Sequence, residues 1–184
     1  WLNRITIFDQ DGQYVGKWGL PGSGAGQLHG PAGIAFDQNN HMLISENLGH
    51  RVQKFTKDGK FLQKWGNKGS GRGEFWNPWG VTVDDHGHVF VADWGNNRVQ
   101  KFDGDGRYVS TFGHPQSGKG LLHLPSDVAV DVDGRAIGLS GQVGVGDHSV
   151  RSGSSRGVSV ECQRTGLISC RADLVGVVTN HPAR

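Results

Sequence analysis

The 184-residue sequence contains only two cysteines and no hydrophobic run near the roughly 18 residues that a membrane-spanning helix requires. It also lacks a charged-then-apolar leader followed by a small-residue cleavage site. A transmembrane protein and a freshly exported precursor are therefore disfavoured. Because the sequence begins with Trp1 rather than Met, it indicates no compartment for the protein.

The last part of the chain lacks two kinds of residue that the rest has in quantity. Residues 135–184 contain no aromatic residue and no lysine, yet they hold both cysteines, Cys162 and Cys170. Residues 1–134 hold 13 Lys and Arg against 14 Asp and Glu, whereas residues 135–184 hold 6 against 3. Two compositions thus meet near residue 134, and the basic excess of the chain lies entirely in the second.

We interpret residues 135–184 as a divergent tail without repeats. A frameshift or intron read-through best explains the composition of this tail, because its arginine, glycine, serine and valine residues follow no regular apolar pattern. The alternatives are a disordered native tail and a small folded domain, the latter with few large side chains to pack. The spacing of the two cysteines argues for neither a zinc site nor a disulfide.

Glycine is abundant, with 31 residues, which is typical of a turn-rich β or repeat protein. An internal period of 47 residues runs through residues 1–134 without insertion or deletion. It is shown by three arginines, three prolines and three aspartates: Arg4, Arg51 and Arg98; Pro31, Pro78 and Pro125; and Asp37, Asp84 and Asp131.

The middle copy predicts four short antiparallel strands. Residues 80–84 alternate apolar with polar or small residues and run into a turn at Asp85-His86-Gly87. Residues 89–92, 98–102 and 108–112 follow as three more β-rich segments separated by turn residues. Four strands in a period of this length are the signature of one blade of a β-propeller.

These residues resemble the NHL repeat family, whose pattern has a glycine-rich link, a proline, a strand ending in Asp, a strand ending in Ala-Asp, and an Asn-Arg-Val element. Here the pattern is Pro78, residues 80–84, Val91-Ala92-Asp93 and residues 96–102. The first complete copy departs from it, with Glu46 in place of aspartate and Leu48-Gly49-His50 in place of Gly95-Asn96-Asn97.

The sequence therefore predicts an all-β fold: a partial β-propeller over residues 1–134, followed by an irregular or disordered tail. The inner strands are expected near residues 33–37, 80–84 and 127–131. The copies amount to about three blades, whereas a closed propeller has about four to eight. The resemblance implies a ring of six. An open arc leaves the apolar faces of its end blades uncovered, so we expect self-association through these edges.

Several motifs have structural interpretations. The glycine-rich links lack the Gly-Lys-[Ser/Thr] ending of a phosphate-binding loop. Asp103-Gly104-Asp105-Gly106 and residues 131–134 fit hairpin turns better than calcium loops. The recurring acid and arginine, Glu46 with Arg51 and Asp93 with Arg98, fit a charge-assisted hydrogen bond that ties a loop or two blades. The histidines show no metal-ligand spacing, and we predict neither a metal nor a cofactor.

Candidate binding residues come from positions where the copies differ, because shared positions hold the scaffold. The residue two before the proline is His29, Trp76 or His123, and the residue after it is Ala32, Trp79 or Ser126. A third variable position, Ala25 in the first copy, is Arg72 and Lys119 in the others. The predicted ligand-binding residues are Trp76, Trp79, Arg72, Lys119, His29 and His123. The competing interpretation is that a tryptophan packs between blades.

The leading functional hypothesis is a non-enzymatic recognition or scaffold propeller that binds a protein or another polymer on its loop-bearing face. RNA binding has weak support, because residues 1–134 carry a net charge of −1. Propellers similar to this family also include metal-dependent lyases and lactonases, which makes an enzyme the alternative class. A purely structural repeat that spaces other domains is the third possibility.

Overall fold

The structure, a computed structural model, describes residues 2–113, 120–131 and 133–140, together with the backbone of residues 158–165 and 167–174. It divides into two compact units, Trp1–Gln142 and Val143–Arg184. Within the described residues the fold is all-β apart from one 3-10 turn, Trp94–Asn96. These residues include no helix of the length and hydropathy that membrane crossing requires.

The first unit contains two complete four-stranded antiparallel sheets, each a meander in which every strand pairs with the next along the chain. The strands of the first complete sheet are β5 (Pro31–Phe36), β6 (Met42–Glu46), β7 (Arg51–Phe55) and β8 (Phe61–Trp65). Those of the second are β9 (Pro78–Val83), β10 (Val89–Asp93), β11 (Arg98–Phe102) and β12 (Tyr108–Phe112). Both sheets confirm the four-stranded blades that the 47-residue period predicts.

Two half-sheets flank these blades. Before them, β1 (Ile5–Phe8) pairs with β2 (Tyr14–Trp18), and these strands correspond to the third and fourth strands of a blade. After them, β13 (Pro125–Val130) pairs with β14 (Ala136–Ser140), the first and second strands of a blade. The chain therefore extends its strand pairing to Ser140, beyond the point near Gly134 where the sequence pattern fades. Two short strands, β3 (Leu20–Pro21) and β4 (Gln27–Leu28), pair in parallel within the first link.

The inner strands begin two residues earlier than the sequence predicts, because each starts at its proline. Proline cannot donate a ladder hydrogen bond, so it is tolerated at the first residue of a strand or at a sheet edge. The inner strand of each complete sheet is such an edge. Pro78 and Pro125 are buried there.

Aspartate side chains hold the hairpin turns. In the β9–β10 turn, Asp84 Oδ1 accepts hydrogen bonds from the backbone N–H groups of His86 at 2.9 Å and His88 at 2.8 Å. Gly87 has a φ of +81°, a conformation that glycine adopts without strain. Asp103 and Asp131 accept the same pair of backbone bonds in their own turns. The interpretation of both Asp-Gly segments as turns is confirmed.

The core lies between successive sheets and not inside any one of them. The middle cluster draws its buried side chains from both complete blades: Leu43, Val52, Phe75, Val81, Val89, Val91 and Phe102. Phe75, from the link before β9, has no exposed surface and packs against Phe102 with ring centroids 5.5 Å apart. Each blade therefore depends on its neighbour for burial, as in other repeat proteins.

Within the second unit, the structure describes one antiparallel hairpin, β15 (Val158–Thr165) with β16 (Leu167–Leu174). The sequence predicted irregular or disordered chain across residues 135–184. The backbone register of this hairpin places Cys162 opposite Cys170.

Replacing Phe75 with alanine tests the inter-blade core. The substitution removes a fully buried aromatic side chain, and we expect it to lower the free energy of unfolding by about 3–5 kcal/mol. Chemical denaturation followed by circular dichroism measures the change. Leu62→Ala, on the exposed side of β8, is the matched control and should change stability by less than about 0.5 kcal/mol. Equal effects of the two substitutions would contradict the assignment.

Candidate binding face

One end of the sheets carries all the long connections. The meander places the links between blades and the turns between second and third strands at the same end, because each strand reverses direction. We call this end the loop face; its described segments are residues 19–30, 47–50, 66–77, 94–97 and 120–124. The turns at residues 37–41, 56–60, 84–88 and 103–107 lie at the opposite end.

A buried ion pair anchors the link before β9. Arg98 Nε lies 2.7 Å from Asp93 Oδ2, and both side chains are almost entirely buried. The terminal guanidinium nitrogens donate to backbone carbonyl oxygens of Ser70, Gly71 and Glu74 at 2.7–2.9 Å. The link thus takes its shape from a side chain on the third strand of its blade. This confirms the interpretation of the acid and arginine as a structural tie.

Gln100 completes the anchor. Its Nε2 group donates to the carbonyl oxygen of Glu74 at 2.6 Å and to Asp93 Oδ2 at 3.1 Å, while its Oε1 accepts from the N–H of Gly73 at 2.9 Å. The first complete blade repeats the arrangement with Glu46, Arg51 and Gln53. The change from aspartate to glutamate therefore leaves the anchor intact.

Burial raises the pKa of Asp93 above its ordinary value, against hydrogen bonds from Trp76, Asn96 and Arg98 that favour the carboxylate. The charged form of Asp93 therefore depends on these donors.

A second contact joins each link to the preceding blade. The N–H groups of Gly30 and Leu124 each donate to an asparagine side-chain oxygen, of Asn3 and Asn97 respectively, at 2.8 Å. In the middle interface the donor is the N–H of Asn77 and the acceptor is His50 Nδ1, at 3.1 Å. The residues on both sides of these bonds have positive φ values. A histidine thus replaces the asparagine at one of three equivalent positions.

Trp76 is the large aromatic side chain that the loop face exposes. Half of its surface is accessible to solvent. Its backbone is nonetheless held on both sides: its N–H donates to Asp93 Oδ1 at 2.8 Å, and its carbonyl accepts from Gly95 at 2.7 Å. A Cβ atom at Gly95 would lie 2.7 Å from Cγ of the indole, so glycine is needed for this close approach. Trp76 is therefore presented from a fixed backbone.

Trp79 is half-buried on the inner strand β9. Its carbonyl oxygen accepts a hydrogen bond from the hydroxyl of Ser45 in the preceding blade. The same oxygen would lie 2.6 Å from a Cβ atom at Gly33, so the two blades are in close contact at this point. The backbone of Trp79 thus belongs to the blade interface.

The remaining predicted residues do not gather around the tryptophans. The guanidinium of Arg72 lies 5.8 Å from the ring centroid of Tyr108, at the start of the outermost strand, whereas Trp79 is on the innermost strand. Lys119 lies outside the described residues. His29 and His123 are both exposed on the loop face, on the links before β5 and β13.

Two residues near Trp76 escaped the sequence analysis. His50 contacts the backbone of Asn77, next to Trp76, and its pKa is lowered first by burial and then by the charges of Lys68 and His29. Lys68 is exposed on the same link as Trp76. The sequence does single out His50, because the equivalent residues of the other two copies, Asn3 and Asn97, are both asparagine. Lys68 is singled out in the same way, because the equivalent residues of the other copies, Pro21 and Pro115, are both proline.

The middle of the loop face thus carries the exposed indole of Trp76 and, against the backbone of the next residue, His50, on which the charges of Lys68 and His29 act. Across the described residues, no group of three or more His, Cys, Asp or Glu side chains is arranged to hold a metal ion.

The fold and the repeat define a β-propeller segment. The model of the NHL repeat matches residues 75–102, which run from the end of the link through β11. The chain therefore carries an NHL repeat in its second complete blade. Comparison with curated proteins gives no match.

Solved structures with the same fold include two lyases and a lactonase. A streptogramin B lyase is 20% identical, with 76% of this chain aligned to 42% of its length and a TM-score of 0.56. A virginiamycin B lyase from Staphylococcus aureus is 16% identical, over 77% of this chain and 50% of its own, with a TM-score of 0.51. A gluconolactonase from Xanthomonas campestris is 18% identical, over 74% and 41%, with a TM-score of 0.52. The chain spans half or less of each structure, and the likeness concerns the fold.

Replacing Arg98 with methionine tests the anchor of the link. The change leaves the buried Asp93 carboxylate without its cation, and breaking such a pair costs about 3–5 kcal/mol of stability. Equilibrium unfolding in urea measures the loss. Arg107→Met is the control, because Arg107 pairs with Asp103 and Asp105 in an exposed turn, where ion pairs contribute little to stability. An Arg98 variant as stable as the control would rule out the anchoring role.

His50 makes stability depend on pH. His50 Nδ1 accepts a hydrogen bond only when it is unprotonated, and its pKa in the folded state lies below the ordinary value of 6.5. The unfolded chain therefore binds more protons between the two pKa values, so stability is full above pH 6.5 and falls as pH drops, by at most about 1.4 kcal/mol per pH unit. Below the folded-state pKa of His50, protonation of this residue no longer lowers the stability as pH drops further.

His50→Asn restores the asparagine that the other two interfaces use, and asparagine tolerates positive φ. We expect this variant to lose the His50 part of the pH dependence when unfolding is measured between pH 5 and pH 8. His86→Asn, in an exposed turn at the opposite end, should retain it. Identical pH profiles for wild type and His50→Asn would show that the bond to Asn77 does not matter.

Proposed function

We propose that the chain is a recognition module that binds a protein partner on its loop face, with Trp76 as the central anchor. The observation that carries the proposal is the combination of a half-exposed indole with a backbone fixed by Asp93 and Gly95. Tryptophan is enriched among the residues that dominate interface energies. A rigid backbone lowers the entropy that binding must overcome.

The charges around Trp76 favour a partner segment with acidic side chains. The charges of Lys68 and His29 both lower the pKa of His50, which lies against the backbone of Asn77, next to Trp76. The acid whose charge acts on His50 in the opposite direction is Asp93, which is buried and already paired with Arg98. An acidic side chain next to an apolar one in the partner would contact Lys68 and the indole together. Such complementarity contributes mainly to specificity and association rate.

RNA and enzymatic substrates have less support from this geometry. Phosphate recognition requires several cations aligned along a path, and Arg72 is directed to Tyr108 instead of the indole. Propellers serve both as enzymes and as binding modules, so the likeness to lyases and a lactonase favours neither class. The support for a protein-binding function therefore comes from the geometry of the site and not from the fold.

A peptide-display selection against the intact chain tests the proposal. We expect the enriched peptides to pair Asp or Glu with an apolar residue, and Trp76→Ala to weaken their binding by about 30-fold, which corresponds to about 2 kcal/mol. Isothermal titration calorimetry with one enriched peptide measures the affinity. Val109→Ala, at an exposed position of β12, is the control and should bind normally.

Three results would contradict the proposal. The first is the absence of any enriched peptide, and the second is enrichment that Trp76→Ala does not reduce. The third is binding of a random single-stranded RNA pool through Arg72 with no peptide binding, which would establish the RNA alternative instead.

A further inference from the structure

We infer that the turn between β9 and β10 binds a divalent transition-metal ion, with the imidazoles of His86 and His88 as its two protein ligands. The two rings lie side by side, with centroids 6.2 Å apart and planes tilted by 34°. Imidazole nitrogen is a ligand that suits zinc, copper and nickel. This turn is at the end opposite the loop face, so the metal site is separate from Trp76.

One carboxylate oxygen fixes the backbone of both histidines. Asp84 Oδ1 accepts hydrogen bonds from the N–H groups of His86 at 2.9 Å and His88 at 2.8 Å. The backbone itself closes the turn, because the N–H of Asp84 donates to the carbonyl of His88 at 3.0 Å and the N–H of Gly87 donates to the carbonyl of Asp84 at 2.9 Å. The two side chains therefore start from fixed positions, and metal binding does not have to order the segment.

The second oxygen of Asp84 orients the ring of His88. His88 Nδ1 lies 2.9 Å from Asp84 Oδ2, and the Asp84 side chain is only 4% exposed. Because a carboxylate can only accept a hydrogen bond, Nδ1 is the nitrogen that carries the proton. In the neutral ring, Nε2 then has its lone pair available for an ion. Histidines that bind metals almost always donate their other ring N–H to such a partner, often a carboxylate.

The spacing of the rings suits a shared ion after a small adjustment. Two imidazoles that hold one ion at the nitrogen distance of zinc, about 2.0–2.1 Å, have ring centres about 5–6 Å apart. His86 is exposed, so its side chain can rotate toward the oriented ring of His88. Water or a group of a bound molecule would supply the remaining ligands. Two protein ligands make a more open site than the three or four of catalytic and structural zinc sites.

The first complete blade has the same turn without the second imidazole. Asp37 Oδ1 accepts hydrogen bonds from the N–H groups of Asn39 and His41, both at 2.9 Å, and Asp37 Oδ2 lies 3.2 Å from His41 Nδ1. Asn39 occupies the position of His86, and the β13–β14 turn has Asp133 there. Among the three equivalent turns that the structure describes, the β9–β10 turn thus brings two histidines together, at a position where the copies differ.

The lysine beside each turn carboxylate shows a further difference between the two blades. In the first, Lys54 Nζ lies 2.8 Å from Asp37 Oδ2 and is closer to it than the histidine ring. In the second, Lys101 Nζ lies 3.8 Å from Asp84 Oδ2, and the His88 ring is the closer partner. The carboxylate of the second blade therefore acts mainly on the imidazole, as the outer partner of a metal ligand does.

Titration with copper(II) tests the inference, because copper binds nitrogen ligands most tightly among the divalent first-row ions. Both cysteines are first capped with N-ethylmaleimide in every sample, so that thiolates do not compete. We expect the first equivalent of copper to broaden the NMR amide signals of residues 84–88 before those of residues 37–41. Isothermal titration calorimetry measures the affinity.

His86→Asn copies the turn of the first blade. Loss of one of two ligands should weaken copper binding at least about 10-fold, the lower end of what loss of an outer partner alone costs. His41→Asn also removes one imidazole from a turn and is the matched control; it should leave the site at residues 84–88 unchanged. Circular dichroism shows whether the variants fold as the wild type does.

Asn39→His is the complementary variant. Because Asp37 already contacts His41, this substitution should create a second copper site of similar affinity at residues 37–41. The inference is overturned if copper first broadens signals outside residues 84–88, or if His86→Asn binds copper as tightly as the wild type. A folded Asn39→His variant that gains no site would overturn it as well, because the turn and its carboxylate would then not suffice to make a histidine pair bind.

Discussion

The arginine at the start of the third strand in each complete blade, Arg51 or Arg98, makes the contacts on which the loop face depends. Its guanidinium pairs with a buried acid and donates to carbonyl oxygens of the link before the same blade. Those links are rich in glycine and form little regular structure, so their backbone groups need partners from elsewhere. Arginine suits the task because it offers five donors in a planar arrangement and stays charged. Without it, carbonyl oxygens of the links that carry Trp76 and His29 would lose a hydrogen-bond donor.

The same repetition sets the conditions for function. Positions that hold the scaffold recur in every blade, as with Arg51 and Arg98, while the exposed positions on the links change from copy to copy. At one interface a histidine replaces the asparagine that receives the link, so the hydrogen bond there requires an unprotonated ring nitrogen. Trp76 lies directly beside this interface. The least uniform part of the arc is therefore the part with the strongest candidate for binding.

Burial between blades has a consequence for the ends of the arc. Each blade covers the apolar face of its neighbour, so positions buried at an interior interface are exposed on the first half-sheet and on β5. Phe8 and Ile34 are exposed, while their equivalents Phe102 and Val81 are buried. The burial of one repeated position therefore depends on the blade packed against it and not on the residue alone.

The sequence by itself determined the all-β class, the 47-residue blade, the strand order, the Asp-Gly turns and the ion pair between Asp93 and Arg98. These features are local or recur at a fixed spacing, so alternation, turn residues and periodicity reveal them. The early start of the inner strands at their prolines was missed, because the edge position that tolerates proline is a property of the sheet.

Only the tertiary structure decided which side chains meet across blades. The period places Arg72 and Trp76 on one link, yet the fold puts the guanidinium of Arg72 against Tyr108 on the outermost strand. It also brings His50 from one blade to the link of the next, beside Trp76. Such contacts depend on the path of the link and on the rotation between neighbouring sheets. Neither is encoded by spacing along the chain, because both result from how the buried faces of two blades pack together.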